Sequence, residues 1–366
     1  LECWIEFSER SPNHVDLARG SCTTEWSHMR NSGLGLGTLH LWAKNDNPKQ
    51  YVEIIQNDLE YFIVKTVYGS NTEKKNNDVK PPANTQKENP KVVENISINK
   101  EQFSDLLNLH YGVFHPLKNF VNQKQFNSIL ISQKINNKFF PFPIFFGINK
   151  INFDRVKNKQ YLKLFYKKNF LCLIKIKNIF KIDSNIIGKK IFGNNYRKHP
   201  YFIKHIRDNF AYLDFEYKKY NKKQLNHKNF VSPQELKLKI KNKKTLAGFH
   251  TRNVPHTAHQ WVHFFMMKKF ENILIQPLVG QYKKNEYLDN VIIKSNKIVV
   301  KMYKKNRAFY APYFSYPRYG GPLEAALHAI VRKNYGCSHF WVGRDHAGLK
   351  NFYQKYSSQN FCKKNE

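Results

Sequence analysis

Apolar positions are spaced differently in three stretches of the chain. Within residues 1–70, the segment 51–62 (YVEIIQNDLEYF) has the three-and-four spacing of a helix. Residues 71–95 are rich in Asn, Lys, Pro, Thr and Glu, lack aromatics, and have Val79, Val92 and Val93 as their only branched aliphatic side chains. A segment with so little to bury reads as a flexible linker. From 96 to about 222, short runs of Phe, Ile, Leu, Val and Tyr are broken by turn residues, as at 161–165 and 170–176, which predicts a β-rich domain. From 223 to 366 the periods alternate. Ser232-Pro233-Gln234-Glu235 has the order of a helix start: cap, proline, then amide and acid in the first turn. Strands are predicted at 245–249, 273–279 and 338–342, and helices at 256–270 and 322–333. That alternation predicts a parallel α/β sheet.

Length and composition narrow the classes. A chain of 366 residues can form two or three domains, and 41% hydrophobic content is too high for a disordered chain. No run approaches the roughly 20 apolar residues of a membrane span; the apolar piece 139–146 is broken by Pro141 and Pro143. Nothing at the start reads as a secretory leader. The five cysteines are widely spaced with no C-x-x-C pair, so neither a zinc site nor a disulfide framework is expected, and a cytoplasmic location is the simplest setting. The formal charge of +34 invites a nucleic-acid reading. Lys, Asn, Ile, Phe and Tyr are all abundant together, however, and the basic excess is spread along the chain. Compositional bias explains that better than a binding patch, and nucleic acid is disfavoured as a partner. The field would still draw in anionic substrates.

Candidate chemistry lies in the last third. The glycine run at 33–37 lacks G-x-G-x-x-G spacing and reads as a turn. The segment His250-Thr251-Arg252-Asn253-Val254-Pro255-His256-Thr257-Ala258-His259 leaves a predicted strand and enters a predicted helix. Strand ends and helix N-termini are where α/β sheets hold phosphates. His256 and His259 are three apart, on one face of the first turn. Arg252 offers a planar fork for a tetrahedral oxyanion. Val342-Gly343-Arg344-Asp345-His346-Ala347-Gly348 follows a second strand, and Pro277-Leu278-Val279-Gly280 ends a third. Arg318-Tyr319-Gly320-Gly321-Pro322 precedes a helix with Glu324, Leu327 and His328. Each segment is weak alone; their shared placement at strand exits and helix starts is the signal.

These segments resemble the ATP sulfurylase family over about residues 96–360. The family pattern Q-T-R-N-P-x-H-x-x-H is matched at Thr251, Arg252, Asn253, His256 and His259. H-P-L-V-G is matched at 277–280, and R-Y-A-G-P-R-E at Arg318, Tyr319, Gly321, Pro322 and Glu324. N-Y-G-C-x-H-F-x-V-G-R-D-H-A-G is matched at 334–337, His339, Phe340 and 342–348. Upstream, 112–120 is similar to G-x-F-x-P-L-x-G-F and 140–144 to W-P-I-P-I.

The resemblance implies a PUA-like β-rich domain (96–222) followed by a Rossmann-like nucleotidyltransferase domain of the H-x-x-H type (223–366). An unrecognised N-terminal module (1–70) and a linker (71–95) precede them. It implies attack of sulfate on the α-phosphorus of ATP, giving adenylyl sulfate and pyrophosphate. Arg252, Asn253, His256 and His259 would be catalytic. His250, Thr251, Arg252, Arg344 and Ala347 would hold sulfate. Asn253, His256, His259, Val279, Gly280, Gly343, Asp345, His346 and Gly348 would bind nucleotide. Mg2+ would enter as Mg-ATP, with no protein-bound metal. A homo-oligomer and an adenylyl-sulfate kinase partner follow by analogy only. The chain ends about eighteen residues after Gly348, so the family's small C-terminal domain is expected to be mostly absent.

The departures from the pattern fall near the substrates. His250 stands where the family has Gln, and Gln276 where it has His; Val254 replaces Pro and Leu323 replaces Arg. His250 and Gln276 would bear on acceptor specificity. They motivate two other readings: a nucleotidyltransferase of the same fold with another acceptor, and an inactive relative acting as a scaffold.

Overall fold

The computed structural model describes residues 63–65 and 93–366, apart from 226–227, 241–243, 281–286, 305 and 350–351. The predicted helix at 51–62, the glycine run at 33–37 and nearly all of the predicted linker lie outside the described residues. Two compact units divide the chain. Among the described residues, Ile63 and Pro255–Lys269 belong to the first, while Val64–Val254 and Phe270–Glu366 form the second.

The first described strands are β1 (Ile63–Lys65), at the boundary of the two units, and β2 (Val93–Ser97), in the second. β2 starts inside the predicted linker, 71–95. The physical reason is its pairing: Val93 and Ile96 fall in a parallel ladder opposite Tyr161 and Leu164. Two helices follow, α1 (Lys100–His110) and α2 (Gln123–Ser132). Each opens on a capping box, Asn99 with Gln102 and Asn122 with Gln125. The β-rich reading of this region overlooked both helices, although the Asn-x-x-Gln signatures are in the sequence. The short β3 (Lys134–Ile135), β4 (Lys138–Phe139) and β5 (Gly147–Ile148) come next, then α3 (Lys150–Val156). β6 (Tyr161–Tyr166), β7 (Asn169–Phe180) and β8 (Ala211–Tyr220) complete this part, with α4 (Ser184–Phe192) and α5 (Pro200–His205) between β7 and β8. The sheet order is β2-β6-β7-β8-β5. Its core is aromatic: Phe146 meets Phe120 and Phe215 edge-on, with ring centroids 5.3 and 5.5 Å away.

After α6 (Lys222–Leu225), α7 (Pro233–Lys239) starts at the predicted cap, where the Ser232 hydroxyl accepts from Glu235 N. β9 (Leu246–Thr251) and β10 (Asn272–Val279) are parallel, pairing Leu246 with Asn272 through Thr251 with Pro277. Between them in sequence lies α8 (Thr257–Lys269), which belongs to the first unit. Then come α9 (Asp289–Met302), β11 (Ala308–Tyr310), β12 (Tyr313–Phe314), α10 (Gly321–Asn334), β13 (His339–Trp341) and α11 (Ser357–Lys364). The sheet order is β1-β13-β9-β10-β11, with β12 also on β10. β13 runs parallel to β9, and β11 and β12 run parallel to β10, as the alternating pattern predicts.

Buried polar contacts tie the two parts of this unit together. Asp105 on α1 receives Arg318 Nη2 at 2.5 Å and the Tyr316 hydroxyl at 2.7 Å. Asn108 Nδ2 donates to the Phe314 carbonyl at 2.7 Å, and Asn334 Nδ2 donates to the carbonyls of Val113 and His115. Arg318 is fully buried in this network, so its role is to hold the fold.

Candidate functional site

Parallel strands deliver the candidate residues of the second unit to one edge of one sheet. Thr251 is the last residue of β9, and Arg252 and Asn253 follow it. Val279 ends β10 and Gly280 follows. Residues 342–348 follow β13. All three strands run the same way, so these segments share the carboxyl edge, where α/β sheets bind ligands. Gly280 has φ +129°, and a Cβ there would lie 3.1 Å from the Ser315 carbonyl oxygen, so the close backbone approach requires glycine.

The 342–348 loop is pinned from two sides. Gly321 N, at the start of α10, donates to the Ala347 carbonyl at 3.0 Å. From α11, Ser358 Oγ donates to the His346 carbonyl at 2.8 Å and Gln359 Nε2 to the Val342 carbonyl at 3.2 Å. Gly348 N closes a turn on the Asp345 carbonyl. Arg344 and Asp345 are exposed and pair with each other at 3.1 Å. Arg252 and Asn253 are also exposed. Arg252 Nη1 reaches the Tyr319 hydroxyl at 3.4 Å with its guanidinium over that ring, and Asn253 N donates to Thr251 Oγ1 at 3.1 Å.

Beneath this edge, α10 carries a buried polar column that the sequence reading left unassigned. Glu324, His328 and Arg332 are four residues apart, on one helix face, and all are buried. The Glu324 carboxylate accepts from Arg318 N at 2.9 Å and Gly320 N at 3.0 Å. His328 Nε2 lies 3.6 Å from Glu324 Oε1, and its Nδ1 is 2.9 Å from His346 Nε2. Arg332 Nη2 lies 2.5 Å from His250 Nδ1, and Nη1 donates to the His328 carbonyl. The signal for this column was present as charged and imidazole residues at four-residue spacing in an Ala- and Leu-rich helix. Of the predicted site residues, His250 and His346 are drawn together here, with His328 and Arg332 added.

Burial sets the protonation of this cluster. Desolvation, reinforced by Arg332, holds His250 and His328 well below the ordinary histidine value and His346 at about 3. Desolvation lowers Arg332 to about 10, which leaves it protonated at neutral pH. A permanent cation therefore sits among three neutral imidazoles.

The first unit presents its own pair. His256 and His259 stack with ring centroids 3.8 Å apart and planes at 24°. The His256 carbonyl accepts from Gln260 N, so His256 sits at the mouth of α8. Burial lowers both imidazoles, His259 to about 4, so both are neutral at pH 7 and each offers one N–H donor.

Similarity to known proteins agrees with this layout. The family model of a PUA-like domain matches residues 70–213, and that of ATP-sulfurylase matches 227–366. The chain is 31% identical over 278 residues to a sulfate adenylyltransferase of Pyrococcus abyssi, covering 75% of this chain and 72% of that one. It is 29% identical over 294 residues to that of Ignicoccus hospitalis, covering 75% and 74%. A hexameric APS kinase from Thiobacillus denitrificans superposes with a TM-score of 0.53 at 16% identity. That match covers 68% of this chain and 47% of the other, and it is a likeness of fold. A PUA-like domain followed by an ATP-sulfurylase domain is thus the class. The chain belongs to the sulfate adenylyltransferase family. No described helix is long and apolar enough to cross a membrane.

Proposed function

We propose that the chain joins sulfate to the α-phosphate of ATP, forming adenylyl sulfate and releasing pyrophosphate. One observation carries the reading: 250–253, 279–280 and 342–348 meet at the carboxyl edge of one parallel sheet. Sulfate is already ionised, so the work is positioning and charge stabilisation. Arg252 and Arg344 hold sulfate, with Thr251, His250 and the Ala347 backbone. Asn253, His256 and His259 engage the phosphates and donate to oxygens whose charge grows as phosphorus becomes five-coordinate. The neutral state of both histidines suits hydrogen-bond donation without proton transfer. Val279, Gly280, Gly343, Asp345, His346 and Gly348 shape the nucleotide pocket, and Mg2+ arrives with ATP.

The same reading sets the boundary between the two domains at 222/223, and it assigns the protein to the cytoplasm. A homo-oligomer and an adenylyl-sulfate kinase partner belong to it by analogy. Incubation with 35S-labelled sulfate and Mg-ATP tests the reaction. Labelled adenylyl sulfate is the expected product. Binding of ATP with no labelled product would contradict the proposal.

A further inference from the structure

Arg318 and Arg332 are both fully buried, yet only one has a counter-charge. Arg318 pairs with Asp105. Arg332 has no carboxylate partner among the described residues. Its guanidinium lies over the faces of Tyr313 and Phe340, at 5.3 and 5.1 Å, and its Nε has no hydrogen-bond partner among the described residues. A buried, uncompensated cation is costly unless something anionic is meant to share its field.

The direction of its bond to His250 then follows from chemistry. Arginine has donors only, so Nδ1 of a neutral His250 is the acceptor and its proton resides on Nε2. The neighbouring strand sets a second polar side chain beside it. Gln276 is the register partner of His250, so both side chains project from the same face of the sheet. Neither end of the buried Gln276 side-chain amide has a partner among the described residues, and Arg332 Nη2 reaches only the main-chain carbonyl of Gln276, at 3.5 Å. A Gln at 250 would behave alike, its oxygen accepting from Arg332 and its NH2 left as donor.

We propose that Arg332 is a positioning residue that makes position 250 donor-only, and that this polarity selects tetrahedral oxyanions carrying no proton. The inference rests on the sulfate reading given above. Sulfate offers only acceptor oxygens. Monohydrogen phosphate carries the same charge at pH 8, but its P–O–H must find an acceptor, which a His250 engaged by Arg332 does not supply. Nitrogens of His250, His328 and His346 also lie within 4.8 Å of one another, the spacing of a metal site. Arg332 opposes that use: it occupies the Nδ1 lone pair and repels a cation.

The test measures binding of sulfate and of phosphate at pH 8, with a non-cleavable α,β-methylene ATP analogue present. The unaltered protein should prefer sulfate by roughly tenfold or more, the range set by an unmatched buried hydrogen-bonding group. Arg332→Met frees the imidazole to change tautomer and should collapse the preference several-fold. His250→Leu should do the same, and it covers the case in which the arginine variant fails to fold. His250→Gln, which keeps the polarity, should retain the preference. In 15N-histidine-labelled protein, the resonances lost in His250→Leu should show the Nε2-protonated form, and they should shift in Arg332→Met. Formation of adenylyl sulfate with unchanged selectivity in Arg332→Met and His250→Leu would overturn this inference alone. No binding of either oxyanion and no adenylyl sulfate would overturn the sulfate reading with it. Stoichiometric zinc binding lost in His250→Leu would overturn the assigned tautomer.

Discussion

At the residue scale, some groups hold charge and others hold shape. His256 and His259 stack 3.8 Å apart at the start of α8, both kept neutral by burial. If they donate to phosphate oxygens mainly in the transition state, His259→Ala should lower kcat by roughly 100- to 1,000-fold. KM for ATP should change far less, and steady-state kinetics would separate the two. Equal losses in ATP affinity and no further loss in kcat would mean that the pair serves ground-state binding. Gly248 shows a shape constraint. A Cβ there would lie 2.7 Å from Arg332 Cγ, inside a filled core. Gly248→Ala should cost about 1–3 kcal/mol from overpacking, seen as a lower Tm, and should disturb the Arg332–His250 contact.

At the element scale, α11 secures the 342–348 loop through Ser358 and Gln359. Replacing Gln359 with Leu removes the bond to the Val342 carbonyl and leaves that oxygen buried. A loss of about 1–3 kcal/mol in stability is expected, with KM for sulfate and ATP rising together. Denaturant melts and kinetics on the same sample would check it. The elements that position this site were largely legible in the sequence. β9, β10 and β13 stand out as short apolar runs, and α7 announces itself by Ser232-Pro233. Burial on both faces is why the parallel strands read clearly. α1 and α2 were missed because their apolar residues resemble broken strand runs, and only the Asn-x-x-Gln caps separate the two readings. The chemistry at Arg252, His256 and His259 was visible as motif. The Glu324, His328 and Arg332 column was not, because its meaning depends on which residues β9 and the 342–348 loop bring against α10.

At the scale of the whole molecule, one hydrophobic core runs through the PUA-like and sulfurylase parts, and buried polar contacts fix how they join. Asp105→Ala would leave Arg318 buried without its carboxylate counter-charge and should destabilise the fold by about 3–5 kcal/mol. Stability should also depend on pH with a definite sign. His250 and His328 are held well below the ordinary value, and His346 at about 3, whereas each titrates near 6.5 when unfolded. Below that point the unfolded chain binds more protons, so stability is full above about 6.5 and falls as pH drops toward 4. Each fully buried imidazole contributes up to about 1.4 kcal/mol per pH unit. Asp105 and Glu324, whose values burial raises, act in the opposite sense and blunt the slope. Thermal melts from pH 8 to pH 5 should show a falling Tm. The most direct test of the central claim is pyrophosphate release from Mg-ATP with sulfate, and with molybdate as an alternative oxyanion. It compares the unaltered chain with Arg252→Ala, a substitution of an exposed residue. Oxyanion-dependent release that disappears in the variant is the predicted result; release that is independent of oxyanion, or unchanged in Arg252→Ala, would contradict the account.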